Sequence, residues 1–183
     1  MTRVIAGTLG GRRLVVPSGP ETRPTADRAR EGLFSTLTSM RGSLDGAAFL
    51  DLYAGSGAIG IEAASRGAAT TMLVERDPAA LRAIRENLAS LEPAGVELSG
   101  ERVERWLAQP ATQAFDVAFL DPPYADPVEP VLRLLAERGW LAPEAIVVVE
   151  RASRRTGPGW PARIAELQSR RYGEATLWYG RRS

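Results

Sequence analysis

The sequence predicts an α/β protein with a doubly wound, mainly parallel sheet of seven strands and an N-terminal β-hairpin extension. Two observations lead to this fold class. Short apolar segments alternate with amphipathic ones along most of the 183 residues, which is the pattern of strands and crossover helices. These segments are apolar throughout instead of alternating with polar residues, as parallel strands are when helices cover both faces of their sheet.

The N-terminal segment is predicted to form the hairpin. Its β-branched runs 3–7 and 12–16 flank Gly10-Gly11, and a glycine pair is typical of a turn between two strands. Prolines and glycines follow and indicate a loop. We therefore expect the hairpin and its loop in residues 1–22 and the main domain in residues 23–183.

The main domain is predicted to alternate helices and strands. Its first helix begins near Thr25, because apolar residues recur after it at three- and four-residue spacing. The predicted strands are 48–52, 71–75, 96–98, 115–120 and 146–150, with a final pair, 163–171 and 175–179, around Gly173. The other predicted helices are 59–66, one that Pro78 opens, 101–107 and roughly 127–137.

The composition excludes several kinds of chemistry. The chain has no cysteine and no histidine, so we expect no disulfide, no thiol nucleophile, no histidine base and no metal site built on the usual zinc ligands. No apolar run reaches the roughly 18–20 residues of a membrane span. The N-terminus also lacks the features of a signal peptide. We expect a cytoplasmic protein that does not act at a membrane.

Charge is distributed unevenly along the chain. The net charge is +1, but residues 1–30 carry +4 and residues 151–183 carry +6, which leaves −9 between them. All 23 basic residues are arginine. Two basic ends around an acidic centre indicate a site that meets a polyanion at its edges, or else ordinary solvated surface charge.

A glycine-rich loop is predicted between the first strand of the sheet and its helix. Gly55, Gly57 and Gly60 have the spacing G-x-G-x-x-G, which lets the backbone approach a ligand and directs helix N–H groups at it. The spacing fits NAD, FAD and S-adenosylmethionine. Asp51 before the loop favours S-adenosylmethionine, because a carboxylate repels a pyrophosphate and suits a cationic amino group and sulfonium. It could also cap the amides of the loop.

Two further strand ends carry candidate site residues. Glu75 ends the next strand, about twenty residues after the glycines, where a carboxylate accepts both hydroxyls of a ribose. Asp121, Pro122 and Tyr124 end the fourth strand. The Asp121 carboxylate and the Pro122 carbonyl can accept both N–H bonds of a base amino group, whose delocalised lone pair makes it a poor nucleophile. A base can stack on the Tyr124 ring, which is worth about 1–3 kcal/mol. These residues predict methyl transfer to an exocyclic amino nitrogen of a nucleobase.

The three strand ends resemble the cofactor and catalytic motifs of class I S-adenosylmethionine-dependent amino-methyltransferases. The likeness is closer to one family within this class because of segments 3–7, 11–14, 23–25 and 30–34. With these segments and the strand ends, the chain resembles the bacterial 16S rRNA guanine-N2 methyltransferase family that acts on guanine 966. The likeness covers nearly the whole chain. It implies a Rossmann-like methyltransferase sheet, 16S rRNA as substrate within a small-subunit assembly particle, and a hairpin that helps to hold RNA.

The resemblance gives a set of expected site residues. The cofactor-binding residues are expected to be Asp51, Tyr53, Ala54, Gly55, Gly57, Glu75, Arg76 and Val103. The RNA-binding residues are expected to be Arg3, Arg12, Arg13 and Arg23. One position departs from the family pattern, because Arg102 stands where an acid near the cofactor adenine is usual. Either the neighbouring Glu101 serves there, or adenine recognition rests on the backbone and on Val103. We expect a monomer.

Other functions remain open at this point. The same motif suits the N6 amino group of adenine in RNA or DNA, whereas Asp121 disfavours a glutamine side chain of a protein, since the enzymes for that substrate typically carry asparagine there. A nicotinamide oxidoreductase would leave Asp121 and Tyr124 without a role. A non-catalytic RNA-binding assembly factor with a vestigial cofactor site is the third alternative.

Overall fold

The structure is a computed structural model that describes residues 1–17 and 24–183. Two antiparallel strands, β1 (Thr2–Arg3) and β2 (Arg13–Leu14), form a separate N-terminal sheet. The predicted hairpin is confirmed, although its strands are shorter than the apolar runs. Ile5 and Ala6 donate their N–H groups to the Glu62 carboxylate at 2.7 and 3.0 Å instead of to a neighbouring strand. The hairpin is therefore attached to the main domain through groups that would otherwise extend its ladder.

Seven strands form the central sheet. They are β3 (Ala48–Leu52), β4 (Thr70–Val74), β5 (Val96–Ser99), β6 (Phe115–Leu120), β7 (Leu141–Ala152), β8 (Ile164–Tyr172) and β9 (Ala175–Arg182). Their spatial order is β5-β4-β3-β6-β7-β9-β8. The first five are parallel, and β9 runs antiparallel between β7 and β8. The predicted doubly wound, mainly parallel sheet is confirmed.

Five helices connect the strands. They are α1 (Pro24–Arg41), α2 (Ala58–Ser65), α3 (Pro78–Leu91), α4 (Val103–Leu107) and α5 (Glu129–Glu137). Apolar residues of α1 and α2 pack on one face of the sheet in a buried cluster that includes Phe34 and Phe49. Apolar residues of α4 and α5 pack on the other face, with Leu50 and Trp140 in that cluster. None of the helices in the described part of the chain is long and apolar enough to cross a membrane.

Strand β7 is longer than the predicted segment 146–150. It begins at Leu141, opposite Phe115 of β6, and it continues to Ala152 because β9 supplies ladder partners as far as Ala175. The antiparallel pair β8–β9 returns the chain to the same sheet edge at which the parallel strands end. Residues after β7 and between β8 and β9 consequently lie along the edge that carries the predicted site.

Candidate active site

The three predicted strand ends meet at one edge of the sheet. Strand β3 lies between β4 and β6, and its last residue, Leu52, is opposite Val74 on one side and Leu120 on the other. Glu75 and Asp121 therefore leave the sheet about one strand spacing, roughly 4.8 Å, to either side of the β3 backbone. A cavity of about 390 Å³ opens at this edge. The site lies where ligands of open α/β sheets bind.

Residues of the glycine-rich loop form one wall of this cavity. Tyr53, Ala54 and Gly55 line it, and the Gly57 N–H closes the turn on the Ala54 carbonyl at 2.8 Å. Gly55 has φ +60, and a Cβ atom added there would meet no atom within 4 Å. The loop thus leaves open space beside its backbone, and it ends at the N-terminus of α2, whose amides favour a polar ligand.

Tyr53 is held in a strained conformation at the start of this loop. Its φ is +61, which is costly for a bulky residue. Burial raises the pKa of its phenol, and the nearby carboxylates of Glu104 and Asp126 raise it further. Glu104 was not predicted from the sequence as a site residue. It is nevertheless an acidic residue of α4 close to the site, in the region where the family pattern places an acid.

The carboxyl group of Asp51 is buried in the wall of the cavity. It is 1% exposed and accepts the Gly60 N–H at 2.9 Å. Burial raises its pKa well above the ordinary value, the Gly60 hydrogen bond opposes that rise, and the negative charge of Glu75 adds to it. A cation placed in the cavity would favour the ionised carboxylate. The site therefore fits a positively charged ligand group.

Glu75 is held by backbone amides of two segments. One carboxylate oxygen accepts the Gly55 N–H at 2.9 Å, and the other accepts the Arg76 and Asp77 N–H groups at 2.8 and 3.2 Å. Asp77 caps α3 by accepting the Ala80 N–H. A carboxylate has about four acceptor positions, and three are taken by these N–H groups. Glu75 therefore orders the glycine-rich loop and keeps about one position for a hydroxyl of a ligand.

The segment from Asp121 to Tyr124 forms the rim of the site at the end of β6. The Asp121 N–H donates to the Leu52 carbonyl at 3.4 Å, which ties this rim to the end of β3. Asp121 lines the cavity, and Pro122 is buried behind it. Tyr124 is 64% exposed, so its ring is free to receive a planar partner. A carboxylate that lines the cavity and an exposed aromatic ring thus lie within four residues of each other after the end of β6.

Not every expected cofactor residue reaches the cavity. Within the ranges that the structure describes, the expected residues that do not line it are Gly57, Glu75, Arg76 and Val103. Arg76 is exposed, and Val103 is 3% exposed in the core beneath α4. Arg102 is the N-cap residue of α4. Glu101 accepts a hydrogen bond from the Gln109 side chain at 2.6 Å.

The expected RNA-binding arginines lie on the hairpin. Arg3, Arg12 and Arg13 are exposed there. Arg3 donates to the Gly11 carbonyl at 2.8 Å, and Arg12 donates to the Ser90 carbonyl of α3 at 3.2 Å. The expectation for Arg23 concerns a residue outside the described part of the chain.

The structure adds residues that sequence reasoning missed. Glu150 follows Val149, the last residue of β7 that pairs with the parallel strand β6. It lines the cavity, and burial raises its pKa. Its position at a strand end, like that of Glu75, is a signal that could have found it. Arg30 also lines the cavity, and Glu62 and Asn87 connect the hairpin to the helices behind the glycine-rich loop. The local sequence does not mark the contacts of these three with the hairpin, because Arg3, Ile5 and Val15 are distant from them in the chain.

Comparisons with known proteins show which family the chain is similar to. The sequence model of the family described as Conserved hypothetical protein 95 matches residues 2–181. Ribosomal RNA small subunit methyltransferase D of Escherichia coli is 40% identical over 161 residues, which are 87% of this chain and 79% of that protein. The enzyme of the same name from Haemophilus influenzae is 38% identical over 81% of this chain and 77% of its own length.

A solved structure extends the likeness to the whole fold. The structure of yhhF from Escherichia coli is 34% identical to this chain, covers 99% of it with 97% of its own length, and gives a TM-score of 0.88. The sequence match and the structural match therefore span the hairpin, the sheet and the site together. This chain belongs to the ribosomal RNA small subunit methyltransferase D family and is an S-adenosylmethionine-dependent methyltransferase.

Proposed function

We propose that this protein methylates the exocyclic N2 amino group of a guanine in 16S rRNA of the small ribosomal subunit. The observation that carries the proposal is that Asp51 and Asp121, from neighbouring strands, line one cavity. A carboxylate suited to a cation and a carboxylate suited to an amino group thus line the same cavity. The names of the relatives, which are ribosomal RNA small subunit methyltransferases, support the choice of RNA.

The cofactor is expected against the glycine-rich loop. When bound there, S-adenosylmethionine supplies an electrophilic methyl group. Asp51 offers a buried carboxylate to its cationic part, and Gly55 and Gly57 leave room for close approach of the backbone. Glu75 is a candidate acceptor for the ribose hydroxyls. Tyr53 and Ala54 complete this wall of the cavity, while Arg76 and Val103 belong to the proposal on the strength of the resemblance alone.

The target amino group is expected between Asp121 and Pro122. Their oxygen atoms accept its two N–H bonds, which directs the nitrogen lone pair toward the cofactor side of the cavity. The exposed ring of Tyr124 stacks on the guanine. After transfer, the nitrogen gives up a proton to the Asp121 carboxylate or to water. In-line positioning supplies most of the rate enhancement under this proposal, since no strong base is required.

The hairpin is expected to hold the RNA beside the site. Arg3, Arg12 and Arg13 are exposed on it and can each bind a phosphate; Arg23 is proposed for the same role. Residues 1–22 would then be the RNA-contacting extension, and residues 23–183 the catalytic domain. The substrate within an assembling small subunit, a monomeric enzyme and a location in the bacterial cytoplasm complete the proposal.

Transfer of radiolabelled methyl from S-adenosylmethionine tests this function. The protein is offered naked 16S rRNA, small subunits from a strain that lacks the modification, duplex DNA and bulk protein in parallel. Label confined to rRNA or subunits and recovered as N2-methylguanosine is the expected result. Label in N6-methyladenosine, in DNA or in protein would contradict the proposed substrate. Label in none of them would favour the non-catalytic assembly factor.

A further inference from the structure

A second group of arginines lies at the catalytic edge of the sheet, away from the hairpin. We call Arg151, Arg154, Arg155 and Arg171 the edge arginines. They belong to the C-terminal segment 151–183, which carries a charge of +6. They are not among the residues assigned to the cofactor, to the target base or to the hairpin.

Strand pairing fixes where these arginines stand. Arg151 of β7 is opposite Thr176 of β9, and Thr176 is opposite Arg171 of β8. Residues that are opposite one another in adjacent strands share a face of the sheet. Arg151 and Arg171 therefore lie on one face, two strand spacings or roughly 10 Å apart.

Arg154 and Arg155 extend this group beyond the end of β7. They are exposed in the turn that follows Ala152, and the Arg155 N–H donates to the Ala152 carbonyl at 2.9 Å. The Ser153 N–H donates to the Glu174 carbonyl at 2.7 Å, which joins this turn to the turn between β8 and β9. The two turns thus form one continuous surface along the sheet edge.

This surface begins at the segment from Asp121 to Asp126, which we call the catalytic loop. Arg151 donates to the Asp126 carbonyl at 3.4 Å, and the Asp126 N–H donates to the Pro123 carbonyl at 3.0 Å. Tyr124, with its exposed ring, lies within the turn so closed. Glu150, next to Arg151, lines the cavity itself. A strand of RNA whose base enters the cavity would leave it beside the edge arginines.

The edge arginines are not explained by internal ion pairs. Among the residues that the structure describes, no carboxylate forms an ion pair with any of the four. Arg154, Arg155 and Arg171 are exposed. Arg171 donates through Nε to the Gly173 carbonyl at 3.0 Å, which leaves its terminal nitrogens to contact a ligand. Guanidinium groups bind phosphate in a bidentate manner and are the usual contacts to a nucleic-acid backbone.

We propose that the edge arginines bind backbone phosphates of the RNA on the side of the target nucleotide opposite the hairpin. The hairpin packs on α2 and α3, toward the β4 side of the sheet, whereas the edge arginines lie on the β7, β9 and β8 side. The RNA is then held on both sides of the cavity. This inference rests on the proposed RNA substrate.

The test compares two variants that lose the same charge. Arg154→Gln/Arg171→Gln removes two edge arginines and leaves Arg151, which contacts the catalytic loop. Arg138→Gln/Arg163→Gln is the matched control, because both residues are exposed near the starts of β7 and β8, at the other edge of the sheet. Binding to naked 16S rRNA and to unmodified small subunits is measured between about 50 and 200 mM salt.

The edge variant is expected to have a shallower salt dependence. Two lost phosphate contacts should reduce the slope of log K against log salt by about 1.4 for a single strand and raise the KM for RNA. The kcat, the melting temperature and the affinity for S-adenosylhomocysteine should stay at the parent values. The control should keep the parent slope.

Three results would overturn the inference, and each is distinct. A parent that methylates the RNA while the edge variant keeps its slope refutes the edge contact alone. Weaker binding to subunits with an unchanged slope on naked rRNA indicates a ribosomal protein as the partner instead. A parent that neither binds nor methylates RNA refutes the proposed function, and the edge contact with it.

Discussion

Asn87 of α3 joins the hairpin to the glycine-rich loop. Replacing its side chain should lower both the stability of the fold and the affinity for the cofactor. Its side-chain oxygen accepts the Val15 N–H at 2.7 Å, and its amide nitrogen donates to the Val15 carbonyl at 2.8 Å and to the Ser56 carbonyl at 3.0 Å. Val15 follows β2 of the hairpin, and Ser56 lies between the two glycines of the loop. Asn87 is 1% exposed, so water does not readily replace these contacts.

The expected loss can be estimated from these three hydrogen bonds. Each contributes about 0.5–1.5 kcal/mol net, so Asn87→Ala should lower the free energy of unfolding by about 1.5–4.5 kcal/mol. Only the hydrogen bond to the Ser56 carbonyl holds the glycine-rich loop directly. Its share, about 1 kcal/mol, corresponds to a roughly fivefold weaker affinity for S-adenosylhomocysteine.

Urea unfolding and calorimetric titration with S-adenosylhomocysteine measure the two effects separately. Glu86→Ala is the control, since Glu86 is exposed on the same helix. Asn87→Asp keeps the acceptor for the Val15 N–H but loses both donors, so it should also weaken cofactor binding. The reasoning is refuted if Asn87→Ala unfolds like the control, or if it loses stability while its cofactor affinity stays at the parent value.

Three further changes test other parts of the site. Burial raises the pKa of Asp51, so its carboxyl group lowers the free energy of unfolding increasingly as pH rises above the ordinary pKa of 3.8. Asp51→Asn should therefore raise the melting temperature of the cofactor-free protein at neutral pH and flatten the pH dependence of that temperature. The same change should weaken cofactor binding. Gly60→Ala would place a Cβ 2.1 Å from a methyl of Leu73, and overpacking of this kind should cost about 1–3 kcal/mol in urea unfolding. Replacing Arg12 and Arg13 by Gln should weaken RNA binding and flatten its salt dependence without changing cofactor affinity, and an unchanged salt slope would mean that the hairpin does not contact phosphate.

Much of the fold could be predicted because its signals are local. The apolar run before Asp51 and the one before Asp121 are each a buried strand, and the glycines between strand and helix mark a turn that only a few conformations allow. Parallel pairing then brings consecutive strand ends to one edge. The positions of Asp51, Glu75 and Asp121 relative to one another follow from that rule without any contact being known.

The remaining features depend on contacts between distant parts of the chain. Glu62 is 0% exposed, yet it accepts the N–H groups of Ile5 and Ala6 and pairs with Arg66 at 2.9 Å. The spacing of Glu62 and Arg66 is that of a helical ion pair, but nothing in the local sequence marks the distant partners Ile5 and Ala6. The same holds for Asn87. The length of β7 was also underestimated, because β9, about thirty residues later, determines where its ladder ends.

The central claim is that Asp121 acts on the target amino group and not on the cofactor. Asp121→Ala should abolish methyl transfer to unmodified small subunits while S-adenosylhomocysteine affinity stays within a few-fold of the parent. Asp126→Ala, in the same loop but not lining the cavity among the described residues, controls for loop disruption and should keep its activity. An Asp121→Ala protein that still transfers methyl at near the parent rate would contradict the account.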